Sequence, residues 1–401
     1  MNIPKLRFKD NNDNDYPNWV NSTIGKSGYF YYGKSAPKWS ITDTATTPCV
    51  RYGELYTTHN IIVKKIYSYT NIPKENLKFS TGNEVLVPRV GEEPLDFCKC
   101  CYLPFKDVAI GEMISVYNTK NNPLFISYMF NGTMKYKFAR LVEGGNVSNL
   151  YYSYLENISI NLPCLEEQKK IANFLSTVDK KITNLENTIT SLENQKKGLL
   201  QQIFSQKLRF KDKNGNNYPN WEKKKLGDIG SFSRGGNLSK SDLSKKGTSC
   251  ILYGELYTYY NEFATEIKSK TLNTTNLVLS KKYDVLLPLS GETAEDISTC
   301  TCIFFDDIAL GSDLLIFRSS FFDGRFMSLL LKYKYKYKIA QIAQGKSIVH
   351  ISEKNIKNIN IKIPCIEEQQ NIADFILIFT KKLENQKAQL EHWKQIKKGL
   401  L

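Results

Sequence analysis

The cysteines, the histidines and the Gly-Lys-Ser tripeptides are the residues here whose types most often bind metal or catalyse. There are nine cysteines and three histidines in 401 residues. The tightest group, Cys98, Cys100 and Cys101, has a C-x-C-C spacing, and its later counterpart keeps Cys300 and Cys302. Neither matches the C-x-x-C knuckles that close a tetrahedral zinc site, so buried, reduced thiols are expected and no metal ligand is assigned. Gly25-Lys26-Ser27 and Gly345-Lys346-Ser347 both lack the glycine five positions earlier that a phosphate-binding P-loop requires. Asn121-Asn122-Pro123-Leu124-Phe125 is superficially similar to the motif with which amino-methyltransferases hold a flipped base. Its second proline is missing, and no Gly-rich cofactor loop accompanies it. No carboxylate and lysine cluster of a nuclease is present. The expectation is a chain without catalytic residues, cofactor or metal of its own.

Binding chemistry is better represented. The formal net charge is +15, which makes a large polyanion the natural partner. Reading a base edge takes forks of donors or acceptors on loops, surrounded by phosphate contacts from Lys, Ser, Tyr and backbone amides. Three such places recur at corresponding points of the chain. The first is Arg51, Tyr52, Glu54 and Tyr56, matched by Tyr253, Glu255 and Tyr257; a plain turn with core tyrosines accounts for them equally well. The second is Arg89, Gly91 and Glu92, matched by Ser290, Gly291, Glu292 and Thr293, each set just after an apolar run and so on a loop. An ordinary strand-end turn is the alternative there. The third is Lys346 and Ser347, for which the earlier copy has Gly144-Gly145-Asn146-Val147-Ser148 instead. Lys332, Lys334, Lys336 and Lys338 alternate with tyrosines, echoed by Lys135, Lys137 and Arg140. They suit either a solvated helix face or sequence-blind, salt-dependent affinity.

The elements that carry these residues occur twice, about 200 residues apart. LRFKDNNDNDYPNW at 6–19 returns as LRFKDKNGNNYPNW at 208–221, YGELYTTHN at 52–60 as YGELYTYYN at 253–261, and PCLEEQKKIANF at 163–174 as PCIEEQQNIADF at 364–375. The chain is a tandem of one globular unit plus one helix. The expected boundaries are a first unit at 1–162, a central helix at 163–205, a second unit at 206–363 and a C-terminal helix at 364–401. Apolar runs at 60–67, 84–90, 108–117, 284–289 and 308–318 predict strands, while 125–138 and 326–342 predict helix, so each unit is α+β.

The helices give the strongest periodic signal. Ile171, Leu175, Val178, Ile182, Leu185, Ile189, Leu192, Lys196, Leu199 and Ile203 alternate at spacings of four and three. Ile372, Ile376, Phe379, Leu383, Gln386, Leu390, Trp393, Lys397 and Leu400 keep the same register. This is a coiled-coil seam with polar entries that help set register. Each helix follows a proline and opens with a pair of glutamates, Glu166 with Glu167 and Glu367 with Glu368, where the helix dipole favours acid. At about 1.5 Å per residue, roughly 40 residues make a rod on the order of 60 Å long. If a two-fold axis relates the repeats, the helices pair antiparallel, the globules take opposite ends and the chain termini are neighbours. The polar N-terminus and the lack of any apolar stretch approaching 18 residues lead us to expect a cytoplasmic protein with no membrane partner.

Two variable globules, each followed by a P-x-x-E-E-Q-x-x-I-A-x-F helix that ends in K-K-G-L-L, resemble the DNA-specificity (S) subunit of a type I restriction-modification system. The resemblance covers the whole chain. It implies that each globule is a target recognition domain reading one half of a bipartite, asymmetric site on double-stranded DNA. The helices then act as a ruler and as the dock for two methyltransferase subunits, with two restriction subunits optional. S-adenosylmethionine, and ATP with Mg where a restriction subunit is present, belong to those partners. The Arg51 and Tyr253 segments and the SGETAEDI stretch resemble segments common in such domains, and the Gln344 to Ile351 region resembles a phosphate-touching one. The first copy has RVGEEPLD instead, and different side chains on a shared frame predict different half-sites. A coiled-coil DNA-binding adaptor without sequence preference and a self-sufficient nuclease or methylase are the alternatives from other classes.

Overall fold

The computed structural model describes residues 7–345 and 348–400. The chain forms two compact units, Met1–Glu186 with Gln389–Leu401, and Asn187–Ala388. Residues 389–400 therefore belong with the first unit.

In the first unit a four-stranded antiparallel sheet runs in the order Gly28–Tyr32, Ile114–Thr119, Glu84–Pro88, Cys101–Leu103. Its central strand Glu84–Pro88 is buried throughout. The reason is that both faces are covered: Val85 and Val87 enter one core with Tyr117, Phe130 and Phe138, and Leu86 enters another with Leu103, Ile110 and Val116. Alternate residues of a strand point to opposite faces, so a continuous apolar run marks a strand packed on both sides. Each such side chain contributes about 1.5–3 kcal/mol of burial. The second unit repeats the arrangement with Val285 and Leu287 in one core and Leu286 in another. Its five-stranded sheet runs Ser231–Arg234, Leu314–Arg318, Val285–Pro288, Thr301–Ile303, Phe263–Ala264.

Several elements are shorter than periodicity predicts. The run at 108–117 is two strands, Lys106–Ile110 and Ile114–Thr119, belonging to different sheets. Met113 at φ 63 makes the turn between them. The 308–318 run divides in the same way around Asp313 at φ 57. Helical patterns at 125–138 and 326–342 each become a pair, Pro123–Asn131 with Lys135–Ala139 and Gly324–Tyr333 with Lys336–Gln341. The apolar run at 60–67 forms only a bridge from Ile62 to Tyr102, and Ile61 and Val63 fill core positions beside it.

The long helices span Leu165–Phe204 and Ile366–Leu400. Of their paired glutamates, Glu166 and Glu367 are outside the core, whereas Glu167 and Glu368 are fully buried. Glu167 accepts both guanidinium bonds of Arg7 (3.0 and 2.7 Å) and the Trp19 indole N–H (3.2 Å). Glu368 receives Arg209 in the same bidentate way (2.7 and 2.7 Å). The second glutamate of each pair thus straps the repeated LRFKD arm to its helix, a job beyond the dipole. Gln168 and Gln369 each donate to the carbonyl of the preceding proline (2.9 Å in both) and close the first turn. The first helix stops where Gln206 turns left-handed at φ 63.

Along the seam Leu175, Val178, Leu185, Ile189, Leu192, Ile372, Ile376, Leu383 and Leu390 are buried; Ile171, Ile182, Phe379 and Trp393 are half-buried. Within the first unit Asp179 pairs with Lys397 (2.6 Å) and Glu186 with Lys394 (3.2 Å). Within the second, Glu193 pairs with Lys387 (2.6 Å). Numbers rise along one helix as they fall along the other, so the coiled coil is antiparallel and the chain is α+β with two repeated globules and two long helices. No helix among the described residues is long and apolar enough to cross a membrane.

Candidate nucleic-acid interface

In the first unit the repeated loops meet. Glu54 starts the short helix Tyr52–Thr57 by accepting from the Arg51 N–H (2.7 Å) and from the Ser68 hydroxyl (2.7 Å). Tyr56 then donates to the Val90 carbonyl (2.6 Å), fastening that helix to the strand Val90–Gly91. A Cβ on Gly91 would stand 2.9 Å from the Tyr56 hydroxyl oxygen and 3.2 Å from the Phe97 ring, so only glycine allows this approach. Val90 pairs with Asn149 and Gly91 with Ser148, which in turn pairs with Gly144. The 89–92 and 144–148 loops therefore form one platform. Tyr52 and Glu92 are exposed on it, and Arg89 lies over Tyr32 (4.4 Å) and Tyr151 (5.6 Å).

The second unit builds the same platform with other side chains. Buried Glu255 accepts from the Leu252 N–H (2.8 Å) and from the Ser269 hydroxyl. Ser290 pairs with His350 and Gly291 with Val349, and Gln344 bridges to His350. The Ser290 hydroxyl stands between Asp313 Oδ2 (3.2 Å) and His350 Nδ1 (2.9 Å). In a nucleophilic triad the imidazole occupies the middle, so this chain of groups orients a ring and does not activate a serine. Thr293 caps the helix Ala294–Ile297, accepting from the Asp296 N–H (3.1 Å) and donating to its carboxylate (2.7 Å). Tyr253 and Tyr257 meet edge to face at 6.5 Å. Burial, then Tyr253, Asp296 and Glu292, raise the Tyr257 hydroxyl pKa. Glu292 is exposed.

Glu54, Glu255, Tyr56 and Thr293 thus spend their polar atoms inside the fold. They shape the platform; Tyr52, Arg89, Glu92, Glu292 and His350 are the groups it presents. His350 falls within the Gln344 to Ile351 stretch that the sequence marks out, though not as a named site residue, whereas nothing in the sequence marks Asp313. Lys346 and Ser347 lie outside the described residues.

The lysine-rich stretches divide by environment. Lys334 donates to the Phe204 carbonyl (2.5 Å) and so caps the first long helix. Burial, opposed by Glu262, lowers the Lys332 pKa. Lys338 stays exposed. In the first unit Lys135 is half-buried and Arg140 exposed, while Lys137 donates to the Ser159 carbonyl (3.2 Å).

The Asn-Asn-Pro-Leu-Phe segment proves to be a helix cap. Asn122 accepts from the Phe125 N–H (2.9 Å), and Asn121 donates to Thr119 (3.0 Å) and accepts from Gln168 (2.9 Å). Cys98 and Cys300 donate to the helix carbonyls of Lys135 (3.0 Å) and Ser328 (3.2 Å), and burial pushes both thiols up to about 12.

A duplicated α+β body, a long helix after each copy and a repeated loop platform define a tandem recognition chain linked by a coiled coil. A family model of the type I restriction modification DNA specificity domain matches residues 6–194 and 218–392, and the chain belongs to this family. It is 25% identical over 317 residues to the type I restriction enzyme MjaVIII specificity subunit of Methanocaldococcus jannaschii, covering 75% of this chain and 74% of that one. It is 26% identical over 298 residues to the putative MjaX specificity subunit of the same organism, covering 70% and 67%. The crystal structure of a type I restriction-modification S subunit from M. genitalium superposes with a TM-score of 0.62 at 17% identity, over 99% of this chain and 97% of that one. A chain from a study of complex assembly in a type I system superposes at 0.52 with 14% identity, over 96% and 97%. At these identities the two structures bear on fold alone.

Proposed function

We propose that this chain is the non-catalytic specificity subunit of a cytoplasmic type I restriction-modification complex, with each unit reading one half of a bipartite, asymmetric site on double-stranded DNA. The observation that carries this reading is one frame, built twice, that presents different side chains. Glu54 and Glu255 hold the same turn and Gly91 and Gly291 the same strand pair, yet Arg89 stands in one platform and His350 in the other. Conserved frame with variable tips is what two readers of unlike half-sites need. The antiparallel helices set the spacer and dock two methyltransferase subunits, which supply S-adenosylmethionine. Restriction subunits, where present, supply ATP with Mg and the cleavage activity. Exposed cations such as Arg140 and Lys338 contribute sequence-blind affinity.

The test is to co-express the chain with the neighbouring methyltransferase gene and to map modified adenines in host DNA by single-molecule sequencing. A gapped asymmetric motif is expected, altered in one half only when residues 52–92 are exchanged. Removing one heptad from each helix should change the spacer and leave both half-sites intact. A stable complex that modifies nothing would instead favour an adaptor without sequence preference.

A further inference from the structure

The geometry points to Arg89 as the side chain that reads a guanine in the half-site taken by the first unit, a proposal that rests on the recognition role above. Its guanidinium lies over the Tyr32 ring at 4.4 Å and the Tyr151 ring at 5.6 Å. The backbone on either side is tied: the Arg89 N–H donates to the Met113 carbonyl (3.0 Å), and the Arg89 carbonyl accepts from Leu150 (2.9 Å). Among the described residues no carboxylate lies within ion-pair distance of this cation, and its buried Nε has no hydrogen-bond partner.

A half-buried cation with no carboxylate partner and one unpartnered N–H is costly to hold in place, so its outward donors serve something outside the fold. The two rings stand against the guanidinium and limit where it can turn, while its N–H donors lie in the plane of the group. A planar fork of donors restrained by two rings and a tied backbone suits a planar, bidentate acceptor pair, and guanine O6 and N7 in the major groove are that pair. A flexible lysine would serve a phosphate as well and would not need two rings beside it.

The second unit dismantles the whole device together. Leu289 replaces Arg89 and is buried. Arg234 takes the strand position of Tyr32, since Tyr32 pairs with Ser115 and Arg234 with the corresponding Leu315. Ser352 stands in the position of Tyr151. The arginine with two ring neighbours is therefore a property of the first platform and not of the frame.

The experiment is selection from a randomised duplex pool by the full chain in complex with its methyltransferase subunits, comparing wild type with Arg89→Lys, Arg89→Met and Tyr151→Ala. Thermal melting of each variant reports folding, and Arg89→Lys keeps the charge while removing the planar fork. Expected is loss of preference at a single G·C position of the first half-site, by roughly 5- to 150-fold for the two Arg89 variants. Tyr151→Ala should relax the same position less, and the second half-site should not move. A uniform loss of affinity for all sequences, with a shallower salt dependence, would make Arg89 a phosphate contact and overturn the proposal. A wild-type motif indifferent to all three changes would overturn it too, leaving the recognition role standing. If wild type itself selects no motif, both fall together.

Discussion

The two units use identical straps and different locks. Arg7 with Glu167 and Arg209 with Glu368 are the same bidentate pair at the same place in the repeat. The lysine that opens each Lys-Lys-Gly, by contrast, finds unlike acids. Lys397 meets Asp179 across the helix pair, with side chains 28% and 26% exposed, and Tyr128 also donates to Asp179 (2.7 Å). Lys196 is buried and meets Glu262 of the globular body, with Thr380 (2.8 Å) standing where Asp179 stands in the other copy. Tyr333 donates to the second Glu262 oxygen (3.1 Å). The position demands a carboxylate in both copies, but depth decides what else it needs. A half-solvated pair can leave lone pairs to water, whereas a buried pair must satisfy them within the protein.

Breaking the locks separates them most. Glu262→Ala strands an ammonium in the core and should cost about 3–5 kcal/mol in urea unfolding. Asp179→Ala should cost about 1 kcal/mol. Equal losses would erase the distinction drawn here. The pair also predicts a response to acid. Burial works to raise the Glu262 pKa, and the charge and hydrogen bond of Lys196 outweigh it, so the folded value lies below 4.5. A depressed folded pKa contributes stability above the unfolded value that disappears as pH falls through the folded one. Circular dichroism on lowering the pH below 4.5 should therefore show a destabilising limb that Glu262→Gln abolishes.

The platforms differ in tolerance. Gly91→Ala brings a methyl 2.9 Å from the Tyr56 hydroxyl oxygen, whereas at Gly291 the nearest atom is 3.4 Å away. The first change should cost about 1–3 kcal/mol by overpacking, and the second should stay within about 0.5 kcal/mol, both read from thermal melting. Function should sharpen the contrast further. His350→Ala should weaken discrimination by about 1–3 kcal/mol at a position of the second half-site only, and Asn149→Ala, its partner in the repeat, should affect only the first. Methylation motifs read both. The smallest effect belongs to Arg140→Ala, which should lower the slope of log affinity against log salt by about 0.9 without altering any motif.

Repetition, helical periodicity and strand runs made much of this architecture legible, because they are patterns of adjacent residues. The site was legible as places and much less as roles. Glu54 and Glu255 sit in repeated loops as the sequence indicates, yet their carboxylates face inward to cap a turn. Arg89 could be singled out as different from Leu289, while the rings beside it come from a strand and a loop far away in sequence. Lys196 could be read as a polar entry in the seam, but the acid that receives it has no apolar rhythm or motif to betray it.

What the sequence by itself determined is the tandem organisation, the long heptad helices and the position of the repeated loops. Each follows from spacing along one chain: a seam at three and four residues needs no distant partner to be recognised. Tertiary structure alone decided which polar groups are spent and which remain available. That depends on which segments fold against each other, and a donor is free or satisfied only relative to an acceptor brought near it in space. Tyr56 and Arg89 illustrate the division: the first gives its hydroxyl to Val90, and the second lies against two rings with its Nε unpartnered.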